Sequence, residues 1–143
     1  MTPLVLRPRR ALLTACVLSA VLVAASIAGW VLMPTQTRDL FTAPQLLTLA
    51  FFVLVMIGFM MSVGLSVVRA DDAGLTYRNG LRSHHLDWVE VSGFRFTEND
   101  PWAYVLTDED PDQRPLLGIQ RTDRARAEAA FVALESAWRQ ARG

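Results

Sequence analysis

Lysine is absent from the chain, cysteine occurs once, histidine twice, and two stretches of 23 residues carry no charge. Each absence removes a class of function. With Cys16 alone no intrachain disulfide can form, and because it lies in the first apolar stretch, the rest of the chain has no thiol chemistry. The missing lysines leave all fourteen cations as arginine, which reads as the codon usage of a GC-rich genome and carries no mechanism. Neither apolar stretch contains Asp, Glu, Arg or His, whereas proton relays and ion pathways are built from ionisable groups at membrane depth, so a transporter or channel is disfavoured. Positive charge is also scarce downstream. Residues 69–143 hold ten Arg against thirteen acids, a net charge near −3, while a polyanion needs a clustered basic face to displace its counterions. That excludes nucleic acid as a partner.

What is present is an apolar first half. Residues 11–33 (ALLTACVLSAVLVAASIAGWVLM) and 46–68 (LLTLAFFVLVMIGFMMSVGLSVV) predict two transmembrane helices, each reaching about 35 Å at about 1.5 Å per residue. Residues 34–45 between them hold two prolines, several Thr and the Arg38/Asp39 pair, and read as a short extracytoplasmic loop. Arginines set the orientation. Arg7, Arg9 and Arg10 in the flank 1–10, with Arg69, Arg78 and Arg82 after the second span, stand against Arg38 alone in the loop. Basic residues near spans are retained in the cytoplasm, so the expectation is a multi-pass protein of the cytoplasmic membrane with both termini inside. Trp30 and Phe41 fall at the outer boundary. The competing reading is a cleaved signal peptide, with Arg7–Arg10 as its n-region and Ser26-Ile27-Ala28 as its cleavage motif; the apolar run continues past that motif through Leu32. In the second span Gly58, Ser62 and Ser66 recur at every fourth position, a row that admits close approach of another helix, most simply the first through Ala20, Ala24 and Ala28.

The soluble region 69–143 begins without a linker. Leu75–Arg78 is strand-like, Asn79-Gly80 is a strong two-residue hairpin signal, and a return strand over 81–86 follows; that register sets Arg82 and His84 opposite Tyr77 and Leu75. Asp87 heads a brief turn, 93–97 alternates with Phe94 and Phe96 inward, 98–101 is a turn, 102–107 and 115–120 are further strands, and 108–114 is an acidic loop. The period then changes. Ala127, Ala130, Phe131, Leu134, Trp138 and Ala141 share one face of a terminal amphipathic helix, with Thr122 or Asp123 as its cap and Arg139 and Arg142 at the negative end of its dipole. The prediction is an antiparallel meander closed by a helix.

These residues resemble a known family. The stretch Arg69-Ala70-Asp71-Asp72-Ala73-Gly74-Leu75-Thr76-Tyr77-Arg78-Asn79-Gly80, then Arg82, then Leu86-Asp87-Trp88-Val89-Glu90-Val91, is similar to bacterial PH-like domains, specifically the actinobacterial low molecular weight protein antigen six type, in which a two-helix membrane hairpin precedes a small PH domain. The resemblance implies an α-helical transmembrane hairpin followed by an α+β domain, a bent antiparallel sheet or partly open barrel closed by the C-terminal helix. It brings no catalytic or cofactor residues. Eukaryotic PH domains often bind phosphoinositides around their first hairpin, and the positions to compare are Arg78, Arg82, His84 and His85.

Other constellations read more simply as structure. His84 and His85 are adjacent on a strand and point to opposite faces, with no further His or Cys to complete a metal site. Asp108-x-Asp110-x-Asp112 imitates a calcium loop, but Pro111 interrupts it and its sixth and twelfth positions are Gln113 and Ile119. Ser83, His84 and Asp87 lie too close along one strand to form a triad. Trp88, Trp102 and Trp138 read as packing residues. No enzyme and no cofactor are expected. The favoured function is a membrane-anchored interaction or scaffold module with a protein partner, alone or as a homo- or hetero-oligomer. The alternatives are an accessory subunit of a larger membrane complex and a lipid-headgroup sensor, with Arg78, Arg82 and His84 as candidate contacts.

Overall fold

Both apolar stretches are helical in the computed structural model, which describes residues 2–109 and 113–143. Helix α1 spans Arg9–Leu32, a single turn α2 spans Thr35–Arg38, and α3 spans Ala43–Gly64. At 24 and 22 residues, α1 and α3 are about 36 and 33 Å long and apolar enough to cross a membrane. They fold back on one another as a hairpin. At its turn the Arg38 guanidinium donates to the carbonyls of Val31 (3.0 Å) and Met33 (3.1 Å), satisfying the open end of α1, and lies over the Trp30 ring, itself edge-on to Phe41. Thr42 and Gln45 form a capping box at the start of α3.

The second helix ends earlier than the hydropathy predicts. It stops at Gly64, and Val67 and Val68, expected inside the span, belong to a strand. Hydropathy cannot separate a lipid-facing valine from one bound for a protein core. The β-branched pair followed by outward Arg69 and inward Ala70 is half of a sheet pattern.

Among the described residues seven strands form two antiparallel sheets. The first, in the order β1-β2-β3-β4, joins Leu4–Leu6, Val67–Ala70, Leu75–Asn79 and Arg82–Leu86; the second joins β5 (Val91–Arg95), β6 (Trp102–Thr107) and β7 (Arg114–Gln120). Strand β1 lies in the stretch that reads only as an arginine-bearing flank, because three residues are too few to show a period. Leu4 stands opposite Ala70 and Leu6 opposite Val68, so the apolar hairpin is inserted between two neighbouring strands of one sheet.

The β3–β4 turn is displaced from the expected register. Asn79 pairs with Arg82, the loop is Gly80-Leu81, and His84 faces Tyr77. The cause is Asn79, whose side chain donates to the Pro115 carbonyl and accepts from Leu117 N (3.1 Å), tying β3 to β7, while Gly80 alone supplies the positive φ of 62°.

The two sheets do not close into a barrel. They approach closely at Gly118, where a Cβ would stand 2.8 Å from the Val68 amide nitrogen. Between them Val68, Leu75, Tyr77, Val91, Val105, Leu116 and Ile119 are buried, and α4 (Ala125–Arg142) covers the open side with Ala127 and Leu134. Phe94 packs edge-on against Trp138, and Phe96 against Phe131. Ala137 is buried where Ala141 was expected, the latter lying one turn too far along the helix.

Candidate functional site at the helix end of the domain

Neither Thr122 nor Asp123 caps α4. Asp123 belongs to a short 3-10 turn (Arg121–Asp123) and is 8% exposed, and its two carboxylate oxygens accept from the backbone N–H groups of Arg10 (2.9 Å) and Arg9 (3.2 Å). It therefore caps α1 from the far end of the sequence, placing negative charge where the helix dipole favours it. Arg10 returns a hydrogen bond to the Thr122 carbonyl at 3.3 Å. Arg124 then adopts φ 52° and ψ −124°, a conformation suited to glycine that costs about 1–3 kcal/mol in other residues. That strain swings α4 away while Asp123 stays on α1. Composition predicts an aspartate at a helix start; only the packing says which helix.

The strands then sort charge along the domain. β2 leaves α3 at Val67 and reaches its far end at Ala70, followed by Asp71 and Asp72; β3 returns, and the Gly80-Leu81 tip lies beside Ser62 of α3. β4 runs outward again to Asp87 and Glu90. Arg7, Arg9, Arg10, Arg78 and Arg82 thus gather at the helix end, and Asp71, Asp72, Asp87 and Glu90 at the opposite end. The net charge near −3 conceals this polarity.

Of the three candidate contacts, the structure brings two together and separates the third. Arg82 and His84 line a cavity of about 500 Å³ with Tyr77, Asn79, Arg114 and Pro115, and His84 stacks on Tyr77 with ring centroids 5.1 Å apart. Arg78 points to the other face of the sheet. There it donates to the Leu65 carbonyl at 2.8 Å and lines a cavity of about 230 Å³ with Arg7, Val67, Arg69, Thr76 and Ser83. Arg7 and Arg69 stand out in the sequence only as orientation signals. Their convergence depends on β1 pairing with β2, which no local pattern announces.

The remaining predicted positions fall as follows. Gly58 is exposed, with no atom within 4 Å of the point a Cβ would occupy, whereas Gly64 sits against α1, where a Cβ would stand 2.9 Å from Leu12 Cα. Ser62 donates within its own helix to Phe59, and Ser66, outside the helix, accepts from Gly80 N at 3.3 Å. Ala20, Ala24 and Ala28 are exposed, while Ala15 and Ser19 face α3. His85, not His84, approaches Asp87 (3.4 Å), and its Nδ1 is 2.8 Å from the Thr76 hydroxyl. Among the described residues no three His, Cys, Asp or Glu side chains cluster. Asp110, Pro111 and Asp112 of the calcium-like motif lie outside the described residues. Trp88 and Trp138 pack in the core and donate to the carbonyls of Asp71 (2.8 Å) and Val91 (3.2 Å); Trp102 is half-buried on β6. In the β5–β6 turn, the Thr97 amide (2.7 Å) and hydroxyl (2.8 Å), then Arg95 (3.1 Å), hold the Asp100 carboxyl below its ordinary range.

Two sheets of four and three strands with a helix across their open side, joined to a hairpin of two long apolar helices, define a member of the PH-like class. The bacterial PH domain profile matches residues 66–137, just over half of the chain, and the chain belongs to that family. The match goes no narrower than the family and omits β1. No curated protein and no solved structure matches the chain.

Proposed function

We propose that this chain is a noncatalytic interaction module of the cytoplasmic membrane, with two transmembrane helices and a PH domain that presents the β4 edge to a protein partner. The observation that carries this reading is β4 itself. Arg82, Ser83, His84 and His85 are all exposed, so both faces of the strand are open at the end of its sheet. An edge of this kind accepts an added strand, and the cavity holding Arg82 and His84 lies beside it to receive side chains. The anchoring supports it too. Pairing of β1 with β2 and the Asp123 cap hold the edge at a fixed height and orientation, which spares a partner the entropy of ordering it. The PH domain family, as a family of interaction modules, supports the noncatalytic reading.

The pairing of β1 with β2 keeps both helix ends on one side of the proposed membrane, and six arginines there against Arg38 in the loop support the cytoplasmic side. The domain accordingly comprises residues 2–8 and 66–143, either side of the hairpin. Two experiments test the reading. In a Cys16→Ala background, a membrane-impermeant maleimide applied to intact cells should label Thr37→Cys and spare Thr2→Cys and Gly143→Cys; labelling of either terminus would refute the topology. A photo-crosslinking residue at His84 should trap a discrete protein adduct in cells that the same residue at Gln140, on the outer face of α4, does not. Equal trapping from both positions would remove β4 as the contact.

A second reading, an accessory subunit, rests on Gly58, whose open surroundings leave a flat strip on the outward face of α3. Purification in mild detergent as a monomer alone would count against it.

A further inference from the structure

We infer that the β4 edge receives an extended segment of another protein in which a Lys or Arg precedes an Asp or Glu by four residues. This rests on the reading of β4 as the contact and adds what a partner strand must carry. The backbone sets the register. Asn79 and Arg82 flank the two-residue loop, the place of a hydrogen-bonded pair, and along an antiparallel ladder bonded and open pairs alternate. Arg82, His84 and Leu86 therefore turn their backbone groups toward β3, while the N–H and C=O groups of Ser83 and His85 are aimed off the free edge. A partner pairs through those two residues. Antiparallel pairing is the more stable per residue and is the one that every neighbour in this sheet adopts.

Two cavities beside the edge select the side chains. At the helix end Arg82 and His84 line the cavity of about 500 Å³ with Tyr77 and Arg114, and no acid is part of its wall among the described residues. At the outward end His85 and Leu86 line a second, of about 410 Å³, with Glu90, Asp108 and Glu109. Arg114 lines both, so the two are contiguous. Alternate residues of an added strand, those opposite Arg82, His84 and Leu86, point to this face. The one opposite Arg82 meets a cationic wall, and the one opposite Leu86, about 13 Å along the strand, an acidic wall. Because the partner runs antiparallel, its cation comes first and its acid four residues later. Arginine at an edge turns away a basic strand, and the acids at the far end turn away a wholly acidic one, so the order of the charges is what selects. A second copy of β4 does not meet this rule. Its Arg82 and Asp87 are five residues apart and point to opposite faces.

The test uses the full chain in a neutral mild detergent and three short, fluorescent, Thr-rich peptides that differ at two positions four residues apart: Lys then Glu, Glu then Lys, and Lys then Lys. By anisotropy the first should bind about tenfold more tightly than the second, roughly 1.4 kcal/mol, since reversing the order exchanges two attractions for two repulsions. Arg82→Glu should invert the choice and bind the Lys-then-Lys peptide about tenfold more tightly than the Lys-then-Glu one, a gain that misfolding cannot produce. Ser83→Pro deletes an N–H aimed off the edge and no bond to β3, so its circular dichroism and unfolding temperature should stay near the parent while the first peptide loses at least about tenfold in affinity. Full binding by Ser83→Pro would remove β4 as the contact, and the proposed function would fall with this inference. If Ser83→Pro abolishes binding but the order of charge makes no difference in the parent, the edge stands and the charge rule is overturned. Absence of binding by all three peptides at millimolar concentration overturns the rule as well, and so does a dimer of the parent that Ser83→Pro dissociates, which would put a second copy on the edge.

Discussion

Asp123→Ala isolates the joint between the domain and its apolar hairpin. The substitution removes an acceptor from two backbone N–H groups, Arg9 and Arg10, in a site where the carboxylate is 8% exposed. Loss of an N-cap costs about 1 kcal/mol, and loss of a negative charge at a helix N-terminus about 0.3–1 kcal/mol more. Partial burial of the orphaned N–H groups brings the total to about 2 kcal/mol. In a domain of this size that lowers the unfolding temperature by about 10 °C, read from tryptophan fluorescence of the full chain in mild detergent. Asp123→Asn keeps one acceptor oxygen and should lose about half as much. The control removes α1 altogether. Because Leu6 faces Val68, Arg7 stands opposite Val67, and a two-residue Asn-Gly loop in place of residues 8–66 closes β1 and β2 into a hairpin. In that spliced chain Asp123→Ala should cost less than about 0.5 kcal/mol, since the helix it capped is gone. Equal losses in both chains would show that Asp123 serves the domain internally and that it does not couple the domain to α1.

The spliced chain should also be more stable than residues 66–143 alone by about 2–4 kcal/mol in urea unfolding, because Leu4 and Leu6 half-bury their side chains and supply the ladder on the outer edge of β2; equal midpoints would deny β1 a structural role. Gly64→Leu should force α3 off Leu12 and Ala15, lowering the unfolding temperature in detergent by several degrees, whereas Gly58→Leu, in open surroundings, should change it little; the reverse order would refute the observed helix contact. Asp100→Asn should destabilise the chain at neutral pH. Its folded carboxyl titrates below the ordinary value of about 4, so its contribution is complete above that value and disappears as pH falls through the folded one; the gap between the two melting temperatures should close in acid, and a gap independent of pH would remove the charge from the explanation.

Much of the fold is legible locally. The two charge-free runs become helices because nothing in them suits water, and the strands over 102–107 and 115–120 appear within a residue of their predicted limits because each packs a local alternation onto one core. The limits of the reading are equally specific. Val67 and Val68 look like lipid-facing residues and are buried in a strand, Val68 in the core between the sheets. Asn79 looks like a turn residue and is a clasp between sheets. Asp123 looks like the cap of the helix that follows it and caps one more than a hundred residues earlier.

The candidate site shows the same division. Arg78, Arg82 and His84 stand out as basic residues around one hairpin, but strand alternation sends Arg78 to one face and Arg82 with His84 to the other, so they serve two cavities. Arg7 and Arg69 read as orientation signals because their meeting requires pairing across the whole apolar hairpin.

The amino-acid sequence by itself determined the apolar hairpin, the concentration of arginine at its ends, the short strands and the closing helix, since each depends on residues near one another in the chain. Tertiary structure alone decided that the domain is stitched together from both sides of the hairpin, that Asp123 holds α1, and that three arginines surround one cavity. Those depend on contacts between distant segments, and the energy of such contacts leaves no periodic trace in either partner.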